Sequence, residues 1–249
     1  MEGTILPAAE VAEYVEFKRT KREAEVALML NKLLLDASRR ETDRHALRSI
    51  CESAKKLGAC GILVSPVNVG AARKLLQGSE VRIICLVGGT GESLPAVKKL
   101  EAKKAIAHGA KEIRLVLCYS ALTGGNYSYL KREIGRLRRA TRRCTLSISL
   151  EDQSLGEEQI ALGVRAACDG KADGVSVRGE TALVLHAISY AAGRLTCDCS
   201  GVENAEQLNL VVKAGASHAL TRRGEDIARE LYEAAEAASA VGGTPVSEE

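Results

Sequence analysis

Eight short apolar runs, each followed by a longer amphipathic stretch, constrain the fold of this chain more than anything else in it. The runs are KLLLDAS (Lys32 to Ser38), CGILVSP (Cys60 to Pro66), VRIICLVGG (Val81 to Gly89), EIRLVLCYS (Glu112 to Ser120), CTLSISLED (Cys144 to Asp152), DGVSVRG (Asp173 to Gly179), RLTCDCSG (Arg194 to Gly201) and SHALTRRG (Ser217 to Gly224). Several are continuous rather than alternating, as expected of parallel strands buried on both faces. Between them, Thr42 to Leu57 places Leu47, Ile50, Ala54 and Leu57 near the helical period, and Pro95 to His108 repeats the pattern before Gly109. Similar stretches fall at about 127–142, 156–169, 181–193, 203–214 and 225–240. Asn68 and Asn204 are candidate N-caps. Strict alternation over eight units predicts an α/β fold, a single (β/α)8 TIM barrel. A doubly wound open sheet would carry a glycine-rich turn after its first strand, but the chain there reads ASRRETDRH.

The length of 249 residues suits one such barrel. The reading divides it into an N-terminal helical extension at 1–31, the barrel at 32–240 and a loose tail at 241–249. The extra helix, roughly Ala8 to Leu30, is expected to cover the N-terminal end of the barrel. Aromatic residues are only 3% of the chain, so the core must be aliphatic.

A net charge of +3 is too even to imply nucleic acid, and the basic run KREIGRLRRATRRC (Lys131 to Cys144) reads as the solvated face of a helix. No apolar run reaches membrane-spanning length, and no signal peptide is visible. Most of the eight cysteines sit inside apolar runs, where they act as small hydrophobes, so a cytoplasmic location without disulfides is expected.

Barrel enzymes work at the C-terminal ends of their strands. Those ends offer Asp36, Arg114 with Cys118, Glu151 with Asp152, Ser176 with Arg178, Cys197 with Cys199, and Thr221 to Arg223. No lysine lies in the C-terminal half of any strand, although Schiff-base chemistry needs one. The loops after strands seven and eight, which usually hold phosphate in barrels, supply Ser200, Gly201, Thr221, Arg222 and Arg223. The glycine-rich run Gly88 to Ser93 reads as a turn. A phosphorylated sugar or other small anion is the expected ligand. No cofactor or metal is called for, and a homo-oligomer such as a dimer is expected.

At these segments the chain resembles the deoxyribose-phosphate aldolase family of class I aldolases. The resemblance covers roughly Leu34 to Ala234. It is densest over Val81 to Val116 and recurs in LDAS, LVSPVNV, SLED, KADGVSV and SGVENAEQLNLVVKAGAS. It implies cleavage of 2-deoxyribose 5-phosphate through a strand-six lysine, with a strand-seven lysine, a strand-four aspartate and a further strand-five lysine in support. Carried onto this chain, those positions read Ser176, Cys197, Arg114 and Ser147. Serine and cysteine form no stable iminium, and Arg114 places a permanent cation at the relay position. Losing the covalent pathway removes a large part of an acceleration of about 8–23 kcal/mol.

Three functions follow. The first is a degenerate aldolase that binds a phosphorylated metabolite or a protein partner. The second is different chemistry in the same mouth, using Cys197 and Cys199 beside Arg114 and Arg178, the carboxylates Asp36 and Glu151, or zinc held by that pair with Cys118. The third is an active aldolase with a relocated lysine such as Lys98.

Overall fold

The computed structural model describes residues 8–241. Eight parallel strands close into a barrel in chain order: β1 (Leu33–Ala37), β2 (Gly61–Val64), β3 (Arg82–Val87), β4 (Glu112–Val116), β5 (Thr145–Leu150), β6 (Gly174–Arg178), β7 (Thr196–Ser200) and β8 (Ala219–Thr221), with β8 returning to pair with β1. The expected barrel is thus present.

Around it run α1 (Ala8–Leu30), α2 (Arg44–Leu57), α3 (Val69–Leu75), α4 (Pro95–His108), α5 (Tyr119–Thr123), α6 (Tyr127–Ala140), α7 (Glu157–Asp169), α8 (Thr181–Ala191), α9 (Ala205–Lys213) and α10 (Gly224–Val241). Gly109 ends α4 with φ +120°, as its position after the periodic stretch predicts. Asn204 caps α9 by accepting from Gln207 N. Asn68 does not cap: a 3₁₀ turn over Pro66–Asn68 runs straight into α3, so Asn68 is already helical at φ −90° and its side chain makes no cap bond. The short helix α3 is the one expected after the second strand, whereas α5 has no counterpart in the sequence reading, because five residues are too few to establish a period. The basic run lies on α6, where Leu130, Ile134 and Leu137 are buried and Arg132, Arg136 and Arg139 are exposed. The contacts of α1 are chiefly with α10. It packs beside the last helix of the ring. The expected tail lies, past its first residue, outside the described residues.

The lumen is divided. Leu34, Leu63, Ile84 and Leu220, from β1, β2, β3 and β8, form a small aliphatic cluster inside the barrel. The larger core lies between the strands and the helices. Strands β4 to β7 fill their side of the lumen with Glu112, Arg114, Ser147, Ser176 and Asp198, all buried. Parallel registers align Arg114 with Ser147 and Ser176 with Asp198. A barrel interior is ordinarily filled by branched aliphatic side chains, so this polar half directs attention to the site.

Candidate functional site

Arg114 is the centre of the polar half. It is fully buried, and it projects from β4 across the lumen to Asp198 on β7, two strands beyond its neighbour. Its Nη1 donates to Ser176 Oγ at 3.2 Å, its Nε to Ser147 Oγ at 3.3 Å, and its Nη2 to Glu112 Oε1 at 3.5 Å. Ser147 in turn donates to Glu112 Oε1 at 2.6 Å. At the mouth, Glu151 Oε1 lies 3.5 Å from Arg114 Nη1, buried and without a hydrogen bond. Burial works against the charge on Arg114, but Asp198, Glu151 and Glu112 outweigh it and hold the guanidinium firmly protonated. The three positions where the resemblance implies an aspartate and two lysines therefore hold a guanidinium and the two hydroxyls that bind it.

A second group continues this network toward the N-terminal end of the barrel. His218, just before β8, engages Asp198 Oδ1 through Nδ1 at 2.9 Å. Arg82, the first residue of β3, lies 3.2 Å from His218 Nε2 and donates to the sulfur of Cys60. Burial pushes the Asp198 carboxyl up, but His218 and Arg114 together hold it below the usual aspartate range. The Asp198 hydrogen bond, joined by one from Cys60, raises His218 from 6.5 to about 9. Three cations (Arg82, Arg114 and His218) thus meet three carboxylates (Glu112, Glu151 and Asp198) along one column.

This column has a pH consequence. A raised histidine stabilises the fold fully below its unfolded value of 6.5, and that stabilisation is lost as pH rises through about 9. Cys60 is shifted downward, so its contribution grows as pH rises and opposes the loss. Cys60→Ser should remove that opposition, leaving the smaller His218 shift that Asp198 alone sustains. We expect its urea midpoint to fall between pH 6.5 and 9 by the equivalent of about 1–2 kcal/mol, while the parent chain changes less. Parallel curves for the two proteins would refute the linkage.

Among the other sites read from sequence, Cys197 and Cys199 face away from the lumen. Both are buried in the layer between strands and helices, and burial pushes their thiols up to about 12. The expectation that they share the mouth with Arg114 and Arg178 is corrected, because strand alternation gives the lumen to Asp198 and Ser200 on β7. Cys118 lies beyond the end of β4, as the residue preceding α5, with Glu92 and Ser120 beside its sulfur. It does not gather with that pair as a metal site would require. Lys98 is also outside the mouth: it is 1% exposed in the helical layer and bound to Glu133 Oε1 at 2.6 Å and Val116 O at 3.0 Å. In the glycine-rich turn, Gly88 N donates to Glu101, so that group is not free for an anion.

The mouth itself is an open cavity of about 560 Å³. Ser200, Gly201, Thr221 and Arg222 line it together with Asp36 and Glu151, and no lysine among the described residues does. Arg222 reaches Asp36 at 3.8 Å. Arg223 turns away from this cavity to Asp226 in the first turn of α10, at 3.1 Å. Arg178 is held by Gln153 O and Glu180. Asp198, His218, Arg82, Cys60 and Glu112 escaped the sequence reading. Only the alternation of β7, counted back from Ser200, could have pointed to Asp198.

No helix among the described residues is long and apolar enough to cross a membrane. No protein-family model matches the chain. The deoxyribose-phosphate aldolase of Lysinibacillus sphaericus (strain C3-41) is 30% identical over 205 residues, covering 78% of this chain and 91% of that one. The same enzyme of Geobacillus sp. (strain WCH70) is 27% identical over 217 residues, covering 82% and 95%. Among solved structures, a putative deoxyribose-phosphate aldolase from Coccidioides immitis superposes with a TM-score of 0.79 at 22% identity, covering 91% of this chain and 98% of that one. A structure described as QR15, an aldolase, gives 0.76 at 24% identity, covering 82% and 95%. With this likeness running over most of both chains, the chain belongs to the deoxyribose-phosphate aldolase family.

Proposed function

We propose that this barrel does not carry out lysine-dependent aldol chemistry and instead binds a phosphorylated small molecule at its mouth. One observation carries the reading: Arg114 is fully buried with Ser147, Ser176 and Asp198 around it, and no lysine among the described residues lines the cavity above. A Schiff base needs a neutral amine within reach of the carbonyl carbon. Here the space for that amine is filled by a permanently charged guanidinium and its partners. The ligand site is assigned to Ser200, Gly201, Thr221 and Arg222. Arg222 is half exposed and, among the described residues, tied only by a 3.8 Å ion pair, so it is available to fork onto a phosphate. Arg223 is left out of this assignment because Asp226 holds it outside the cavity.

The test has two arms. Incubation with 2-deoxyribose 5-phosphate or acetaldehyde followed by borohydride should leave every lysine unmodified by mass spectrometry, with no aldehyde released. A stoichiometric lysine adduct or turnover would overturn the reading and favour the relocated-lysine alternative, which the aldolase relatives keep open. In the second arm, calorimetric titration with 2-deoxyribose 5-phosphate should show binding that Arg222→Ala weakens about ten-fold, the loss of one charge-assisted pair. Unchanged affinity in that variant would remove the assignment of Arg222.

A further inference from the structure

The barrel end opposite the mouth carries a cavity of about 900 Å³, set between the last turns of α3 and α4 and the beginnings of β3, β4 and β5. Sites for small molecules commonly have volumes of about 300–1,000 Å³. Arg73, Lys74, His108, Lys111 and Arg143 line this one, and no aspartate or glutamate among the described residues does. Among the described residues, none of these five side chains makes an ion pair or a hydrogen bond. Cations elsewhere are interleaved with carboxylates, as Arg138 is with Asp173, Arg178 with Glu180, and Arg229 with Asp226. The whole chain has a formal net charge of only +3, so the four arginine and lysine side chains gathered here exceed the excess of the molecule.

Helix ends explain part of this gathering. Arg73, Lys74 and His108 lie in last turns, where the helix dipole favours a cation. Lys111 and Arg143 lie in the loops before β4 and β5 and have no such role. Arg73 is also positioned by packing. Its stem crosses the backbone of Gly109, where a Cβ would stand 2.6 Å from Arg73 Cδ. The glycine that ends α4 thus leaves room for the arginine over the cavity.

We propose that this cavity is a second anion site, for a small molecule that carries two phosphate groups on a polar, non-aromatic frame. It lies at the far end of the barrel and does not depend on the reading of the mouth. A phosphate monoester carries about −1.5 to −2 at pH 7, so two of them match four permanent cations. Arg73 and Arg143 supply forked donors, and Lys74 and Lys111 supply point charges. Gln77 offers its amide to hydroxyls of the frame, and Ser79 can accept from them while its own hydroxyl donates to Leu76 O. No Tyr, Phe or Trp among the described residues lines the cavity to stack a base, which sets this ligand class apart from nucleotides and single-stranded nucleic acid.

The experiment uses the full chain with inorganic pyrophosphate as the probe, in the Arg222→Ala background so that any anion held at the mouth does not contribute. Calorimetry at low ionic strength should show one saturable site. Adding Lys111→Ala and Arg143→Ala should weaken it at least about ten-fold, through the loss of two charge-assisted contacts. Inorganic phosphate should bind more weakly than pyrophosphate. In the parent chain, pyrophosphate should protect Lys74 and Lys111 from acetylation by N-hydroxysuccinimidyl acetate, measured by peptide mass mapping, and leave the exposed Lys56 reactive. The absence of a saturable site, or equal affinity after the two substitutions, would overturn the proposal. Phosphate binding as tightly as pyrophosphate would remove its two-phosphate part. Displacement of pyrophosphate by a lower concentration of oligothymidylate would replace the small ligand with a nucleic-acid strand and sink the proposal. The lysine footprint on the parent chain decides the matter even if the variants do not fold.

Discussion

Arg114→Met should destabilise the barrel by about 3–5 kcal/mol, the usual cost of stripping one partner from a buried ionic network. For a chain of this size that corresponds to a fall in melting temperature of roughly 6–20 °C. The size follows from what remains. Asp198 and Glu112 are each within a tenth of full burial, and without the guanidinium they would keep like charges in a lumen that admits little water. Ser147 and Ser176 would each lose a donor, leaving buried hydroxyls to rearrange. Asp198→Asn placed in the Arg114→Met background should cost less than the same change in the parent, with a coupling of about 0.5–3 kcal/mol. Urea unfolding of the four proteins measures it. A single-variant loss below about 1 kcal/mol would mean that water or local rearrangement already screens the network. The lumen would then have room for catalytic groups, and the charged-plug reading would fail with it.

The barrel was legible because its signals are long. Continuous apolar runs identify strands buried on both faces, and Gly109 and Asn204 mark helix ends through local backbone chemistry. The site was legible only as an absence: the missing lysines are visible in the letters, whereas their replacement by a connected network is not. Arg114 reads as an isolated substitution until β4 and β7 face each other across the lumen. Cys197 and Cys199 were misleading for a related reason. Alternation shows that they share a face but does not say which face, and a one-residue choice of phase separates a mouth thiol from one packed against helices. His218, Arg82 and Cys60 lie at strand beginnings, which a search of strand ends passes over.

The second large effect concerns the relocated-lysine alternative directly. Glu133→Ala should cost about 3–5 kcal/mol, because Lys98 and Glu133 are 1% and 2% exposed and the variant leaves a buried ammonium. Lys98→Met with Glu133→Leu should cost far less than the sum of the single changes, since a matched apolar pair avoids desolvation. It should not reach zero. Lys98 Nζ also donates to Val116 O, and Glu133 Oε2 accepts from Cys118 N, so the double variant strands two backbone groups at the end of β4, at about 1–3 kcal/mol each if water does not reach them. Thermal melts of the three variants give the cycle. The outcome bears on chemistry as well as stability. A lysine whose charge is needed to hold β4 against α4 and α6 cannot also spend time as a free neutral amine in the mouth. If Glu133→Ala instead proved nearly neutral, the ion pair would not be what holds Lys98 in the helical layer, and it would return as the first lysine to examine for an aldehyde adduct.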